Sequence, residues 1–324
     1  MEEYGGYLSL ELPRKKEYFC EISENKIVRL NLGRSAFWYA AKNINPSKIY
    51  VPYLNCPDST DPFIKEEIEI EYYRLTDDLT PMDVNPKEGE AILWVNYYGN
   101  ATENQIATVV DKYKSRNLII DNCHAFFSKP LDGVYNCYSA RKFFGVCDGA
   151  YLIADNLGDI ALSSSYSYDK INYLLKATEL GTNSAYPESL LHEAELTRGG
   201  EKSMSLLTRR ILESIDYNEV RSIRKKNMLR LHGFLEAYNE FPVNLRSETH
   251  MFYPLMVKTN GLRERIIAKQ IYMPTLWRHV PEYFNEDVLE TNLTRYMLLL
   301  PIDQRYTEHN MDKLAEIILD ELKK

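Results

Sequence analysis

Asp121 closes the run Asn117-Leu-Ile-Ile-Asp121, a carboxylate at the end of an apolar stretch. At the carboxyl end of a buried strand in an open α/β sheet, such a group faces the crevice where ligands bind. A buried carboxylate needs a cation or several donors; the plainer alternative is an acid capping a loop. His124, three residues on, could hydrogen-bond a ligand hydroxyl, move a proton, or sit as a satisfied core histidine. Lys142 stands between the apolar stretch Val134 to Tyr138 and Phe143-Phe144. That setting predicts partial desolvation, which disfavours the ammonium as a Schiff-base lysine requires. A solvated surface lysine is the alternative, and Arg141 is a competing cation. Gly33-Arg34-Ser35-Ala36 opens the helix-like run Phe37 to Lys42. Free N–H groups at a helix start, beside a hydroxyl and an arginine, suit a phosphate; the alternative is an ordinary serine cap.

Other groups carry less. Ser163-Ser164-Ser165 has no nucleophile-elbow pattern around it and reads as loop. The basic run Arg221 to Lys226 reads as a solvated helix face. Five cysteines, Cys20, Cys56, Cys123, Cys137 and Cys147, are odd in number and lack the close pairs of a zinc site, so no metal is expected. No Gly-x-Gly-x-x-Gly follows a predicted strand, which disfavours a nicotinamide cofactor.

The elements that must position these residues follow from periodicity. Lys48 to Val51, Ile68 to Tyr73 and Ala91 to Val95 read as strands, the last apolar throughout and so covered on both faces. Thr102 to Ser115 has helical spacing, with Ile106, Val109, Val110 and Tyr113 on one side, and leads into the strand ending at Asp121. This alternation predicts an α/β class with a mostly parallel central sheet. Leu157 to Arg198, rich in Ser, Tyr and Asn, gives no clear element. Ser205 to Tyr238 predicts one or two helices broken near Ile215-Asp216. Strands at Met251 to Val257 and Tyr296 to Leu300, with helices at Leu262 to Gln270 and Glu308 to Leu322, predict a smaller α+β domain. The division falls near residue 200, giving 1–200 as the large ligand-binding domain and 201–324 as the small one.

The chain of 324 residues is long enough for two such units. Its formal charge of −8 argues against broad nucleic-acid binding. Acid in Met1-Glu2-Glu3 and the lack of a following apolar run argue against a signal peptide, and no segment has the length of a membrane span. A reduced, cytoplasmic setting is the expectation.

Taken in order, the pieces resemble the DegT/StrS-type sugar aminotransferases, which depend on pyridoxal phosphate (PLP). The Gly-x-Ser-Ala helix start is followed by Val51-Pro-Tyr53 and by Asn96-Tyr-Tyr-Gly99. Then come Asp121-x-x-His-Ala125, Ser139-x-x-Lys-x-x-x-x-x-Asp-Gly149 and Leu300-Pro-Ile-Asp-Gln-Arg-Tyr306. The resemblance implies the PLP-dependent transferase fold of type I, with Lys142 as the cofactor lysine and proton shuttle. It implies Asp121 as the partner of the ring nitrogen, His124 beside the ring hydroxyl, and Gly33, Arg34, Ser35 and Ser139 around the phosphate. It also implies a homodimer, with Asn227 a candidate cross-subunit contact. The sequence departs from the family in its shorter Ser139-to-Lys142 spacing, in its shorter overall length and in two segments. Val146-Cys-Asp-Gly-Ala150 replaces a glycine-rich segment, and Leu54, Asn55 and Cys56 occupy the region of the aromatic that stacks on the cofactor. Tyr97 and Tyr98 are the candidate substitutes.

The leading function is transfer of an amino group from an amino acid, glutamate first, to a keto sugar or similar carbonyl compound. A PLP enzyme performing dehydration shares every residue named. The contrasting reading is a binding or regulatory module that kept the fold; a pure module has no need of both Lys142 and Asp121. A nucleotide diphosphate on the sugar would call for cations, for which Arg34, Arg209, Arg210, Arg278 and Arg305 are candidates.

Overall fold

The computed structural model describes residues 4–248, 250–284 and 287–324, so the acidic Met1-Glu2-Glu3 lies outside the described residues. In chain order the strands of the main sheet are β1 (Ile27–Leu30), β2 (Lys48–Pro52), β3 (Glu69–Tyr73), β4 (Ala91–Val95), β5 (Leu118–Asp121), β6 (Tyr135–Ser139) and β7 (Ala150–Ile153). Between them lie α1 (Gly33–Ile44), α2 (Pro57–Lys65) and α3 (Glu103–Tyr113). The sheet order is β1-β7-β6-β5-β4-β2-β3, and only β7 runs against its neighbours. All of β4 and β5 is buried, as their unbroken apolar runs require of central strands. The register places Val95 beside Asp121 and Asp121 beside Cys137, so Asp121 ends its strand in the middle of the sheet.

The predicted helix after Thr102 forms as α3, with a capping box between Thr102 and Gln105. Val109 and Tyr113 are buried, and Ile106 and Val110 pack partly buried against the same cluster. The unassigned stretch before residue 200 contains two packed helices, α4 (Asn172–Leu180) and α5 (Thr182–Arg198). Their weak signal has a physical cause, since Leu175, Leu180, Leu190 and Leu191 stay exposed and no apolar stripe marks a buried face.

Next come α6 (Leu206–Leu212) and α7 (Tyr217–Leu235), separated at the expected break, where Asp216 caps α7 by accepting from Glu219 N. The chain ends with β8 (Phe252–Met256), α8 (Leu262–Ala268), α9 (Leu289–Tyr296), β9 (Met297–Pro301) and α10 (Glu308–Leu322). Antiparallel β8 and β9 carry α7, α8 and α10 around a core of Leu231, Leu235, Tyr253, Ile266, Leu300 and Ile318. This is the α/β class expected, with a smaller α+β part following the mostly parallel sheet.

The basic run on α7 differs from expectation. Arg224 is 4% exposed, and Lys225 donates to the carbonyls of Leu245 and Ser247. These two turn inward to satisfy backbone oxygens rather than forming a solvated face.

Candidate active site at the carboxyl end of the sheet

Two neighbouring parallel strands end on Asp121 and Ser139, and α1 begins against them. A Cβ built on Gly33 would stand 3.2 Å from Cys123 Sγ and 4.0 Å from Ser139 Cβ. The first residue of α1 is therefore glycine because the helix start presses on the β5 and β6 loops. Asp121 is 9% exposed, and its Oδ1 accepts the Cys123 N–H at 2.8 Å. That bond bends the loop after β5 and brings His124 back beneath the strand ends.

Lys142 lies on the short turn after β6 and is exposed. The expected desolvation is not seen in the single chain, because Phe143 and Phe144 turn into the core and leave Lys142 facing out. Its charge nevertheless reaches the same groups as that of Asp121. Desolvation raises the Cys56 thiol above its usual range, Lys142 pulls it back, and Asp58 and Asp121 push it up. Burial drives the Cys123 thiol well up, with Asp121 adding to the effect and Lys142 opposing it. Burial holds His124 well below the usual histidine value, and Lys142 lowers it further. Burial thus favours the neutral imidazole at His124.

His124 lies nearly parallel to Tyr98, at 17° with centroids 6.4 Å apart, and 5.8 Å from the ring of Trp277. Trp277 comes from the loop before α9 and has a left-handed φ of 54°. Sequence reasoning missed it; a bulky residue at positive φ leaves no signal in composition or spacing.

The phosphate candidates divide. Gly33 and Ser139 adjoin across the start of α1. Arg34 stands 3.8 Å from Asp58 and lines a cavity of about 320 Å³ with Lys65 and Arg198. Ser35 is 1% exposed and its hydroxyl donates to Asn31 Oδ1 at 2.7 Å, so that hydroxyl cannot also donate to a ligand. Of the other candidate cations, Arg209 and Arg210 pair with Glu213, and Arg305 pairs with Asp303.

Asn227 is not a cross-subunit contact. It is 1% exposed, and its Nδ2 donates to the carbonyls of Ile302, Asp303 and Tyr306 in its own chain. Tyr97 and Tyr98 do not replace the stacking aromatic either, since both are fully buried in the core and Tyr97 donates to Leu54 O. Cys56 is the residue of that region within electrostatic reach of both Lys142 and Asp121. Beside it, Asn55 is 4% exposed and its Nδ2 has no hydrogen-bond partner. An orphaned buried donor at a strand end marks a place where a bound group completes the bonding. Among the described residues, no cluster of His, Cys, Asp and Glu could hold a metal ion.

No family model matches the sequence, and a search of curated proteins finds no match. Solved structures do match. NtdA of Bacillus subtilis, with bound cofactor PMP, superposes at a TM-score of 0.63 with 16% identity, over 92% of this chain and 73% of that one. The chain has the fold of the PLP-dependent aminotransferases. A DegT DnrJ EryC1 StrS aminotransferase from Brucella abortus shares that fold at a TM-score of 0.60 and 14% identity, covering 91% and 85%. A GDP-4-keto-6-deoxymannose-3-dehydratase with a trapped PLP-glutamate geminal diamine has it at 0.59 and 15%, covering 90% and 88%. In open α/β sheets ligands bind outside the carboxyl ends of the strands; Asp121 and Ser139 end β5 and β6 there, with His124 and Lys142 on the turns that follow.

Proposed function

We propose that the chain is a PLP-dependent aminotransferase acting on a keto sugar or similar carbonyl compound, with an amino acid such as glutamate as donor. The observation that carries this reading is that the adjacent parallel strands β5 and β6 end on Asp121 and Ser139 in the middle of the sheet, with Lys142 on the turn that follows β6. A planar ring needing an amine at one edge and a carboxylate at the other would call on such a pair of neighbouring strand ends. PLP, when bound, supplies an electron sink for charge released at the substrate carbon.

The chain's own groups have separate tasks. Lys142 would hold the cofactor through its amine and, when that amine is free, would accept and return a proton. Asp121 keeps a proton on the ring nitrogen, and neutral His124 offers a hydrogen bond without adding charge. The Gly33 and Arg34 end of α1, with Ser139, holds the phosphate. Asn55 supplies a donor. The division at residue 200, homodimer formation and a cytoplasmic setting belong to the same proposal. None of the described helices is long and apolar enough to cross a membrane.

The first test is visible absorbance of the protein with PLP. A band near the violet edge is expected in the wild type and not in Lys142→Ala, with borohydride fixing the label on Lys142. No band with PLP in excess would overturn the reading. Transfer of label from a labelled amino donor into the carbonyl product separates amino transfer, which requires it, from dehydration, which leaves the product without nitrogen.

A further inference from the structure

The residue after Lys142 is gripped from the far end of the chain. Arg224 on α7 has its guanidinium carbon 4.6 Å from the centre of the Phe143 ring. Its Nε donates to Gln304 Oε1 at 3.1 Å and its Nη1 to Met251 O at 3.1 Å. Gln304, in the loop after β9, donates through Nε2 to the Phe143 carbonyl at 2.9 Å. The Phe143 N–H donates to Ala140 O at 3.0 Å, and its ring packs against Phe126 and Phe127. Ring, carbonyl and amide of one residue are all fixed.

This arrangement is costly for mere packing. Arg224 is 4% exposed and has no carboxylate within ion-pair distance among the described residues. Desolvation pulls its guanidinium down to about 10, with Asp303 opposing and Arg305 adding to the fall. An apolar side chain would fill the same space at less cost. What a hydrocarbon could not do is lie on the Phe143 ring and at the same time orient the amide that binds the Phe143 carbonyl.

We propose that Arg224 and Gln304 are positioning residues for Lys142, holding from the small α+β part the turn that carries it at the end of β6. The proposal rests on Lys142 being the cofactor lysine.

Gln304→Met separates position from charge, because it removes the donor to Phe143 without adding a charge near Lys142. The measurement is trace acetylation of the full chain with acetic anhydride across a pH series, reading Lys142 against exposed Lys112 by mass spectrometry. The titratable groups facing Lys142 are Asp121, Cys56, Cys123 and His124, and Arg141 on its own turn is paired with Glu193. In Gln304→Met melting with the wild type, the Lys142 midpoint should move by about one pH unit as the turn changes its distance from the surrounding charges. The Lys112 profile should stay fixed. Arg224→Lys, which keeps the charge and loses the fork, should shift it in the same sense and serves if Gln304→Met fails to fold. Superimposable Lys142 profiles in a folded variant would overturn the proposal. Borohydride reduction with PLP on the same proteins tests the cofactor reading separately. A moved profile without label on Lys142 keeps the tether and removes the PLP assignment.

Discussion

Asp121 and Lys142 act with opposite signs on Cys56 and Cys123, so removing either charge has its own signature. Asp121→Asn should still take PLP on Lys142, yet lose turnover by about a hundredfold or more, the scale of a lost proton-handling group. Single-turnover kinetics alongside the absorbance band would show this, and unchanged turnover would remove Asp121 from the ring nitrogen. His124 is held neutral by burial, so its replacement should leave the pH dependence of turnover between 5 and 8 in place. At this scale the sequence was most legible where a residue type sits at a strand end, as with Asp121. It was least legible where the decisive fact is direction. Ser35 looked available, but its hydroxyl turns to Asn31; Asn227 looked like an outward contact and instead ties three carbonyls of its own chain. Spacing says which face a side chain occupies, not which oxygen it chooses.

Among the elements, the junction between β7 and α6 stands out. Asp148 accepts from Ser205 N, Ser205 Oγ and Thr208 Oγ1, joining the end of the lysine turn to the start of α6. Gly149 next to it has φ of +123°, and a Cβ there would meet Thr208 Cγ2 at 3.1 Å. Gly149→Ala should therefore cost about 1–3 kcal/mol in chemical denaturation, and Ser205→Ala about 1 kcal/mol through loss of a cap. A silent Gly149→Ala would mean that the turn relaxes freely. The Asp-Gly pair was legible as a motif, while its structural partner was not, since Ser205 lies far along the chain. Strong periodicity made β4, β5, α3 and α10 readable. The α4–α5 pair was hidden because most of its apolar residues remain in solvent.

For the whole molecule, buried neutral histidines set the acid limit. Burial pulls His250 down to about 3, with Lys225 assisting, and its Nε2 sits 3.0 Å from Asn100 Oδ1. The unfolded chain binds a proton near pH 6.5 that the folded one refuses. Stability is thus full above that value and falls as pH drops toward 3. The loss from His250 between pH 7 and 5 is about 2 kcal/mol, and thermal melts of His250→Asn should show a flatter decline over that range. An equal slope in wild type and variant would assign the acid sensitivity elsewhere. The sheet order has a kinetic consequence as well. Leu30 pairs with Ala150, with all of β2 through β6 between them in the chain, and α1 follows directly from Leu30. Closing so long a loop is slow. The Gly33 end of α1 can therefore reach Ser139 only after this remote pairing forms, and refolding chains should gain their capacity to take up PLP later than their helical signal.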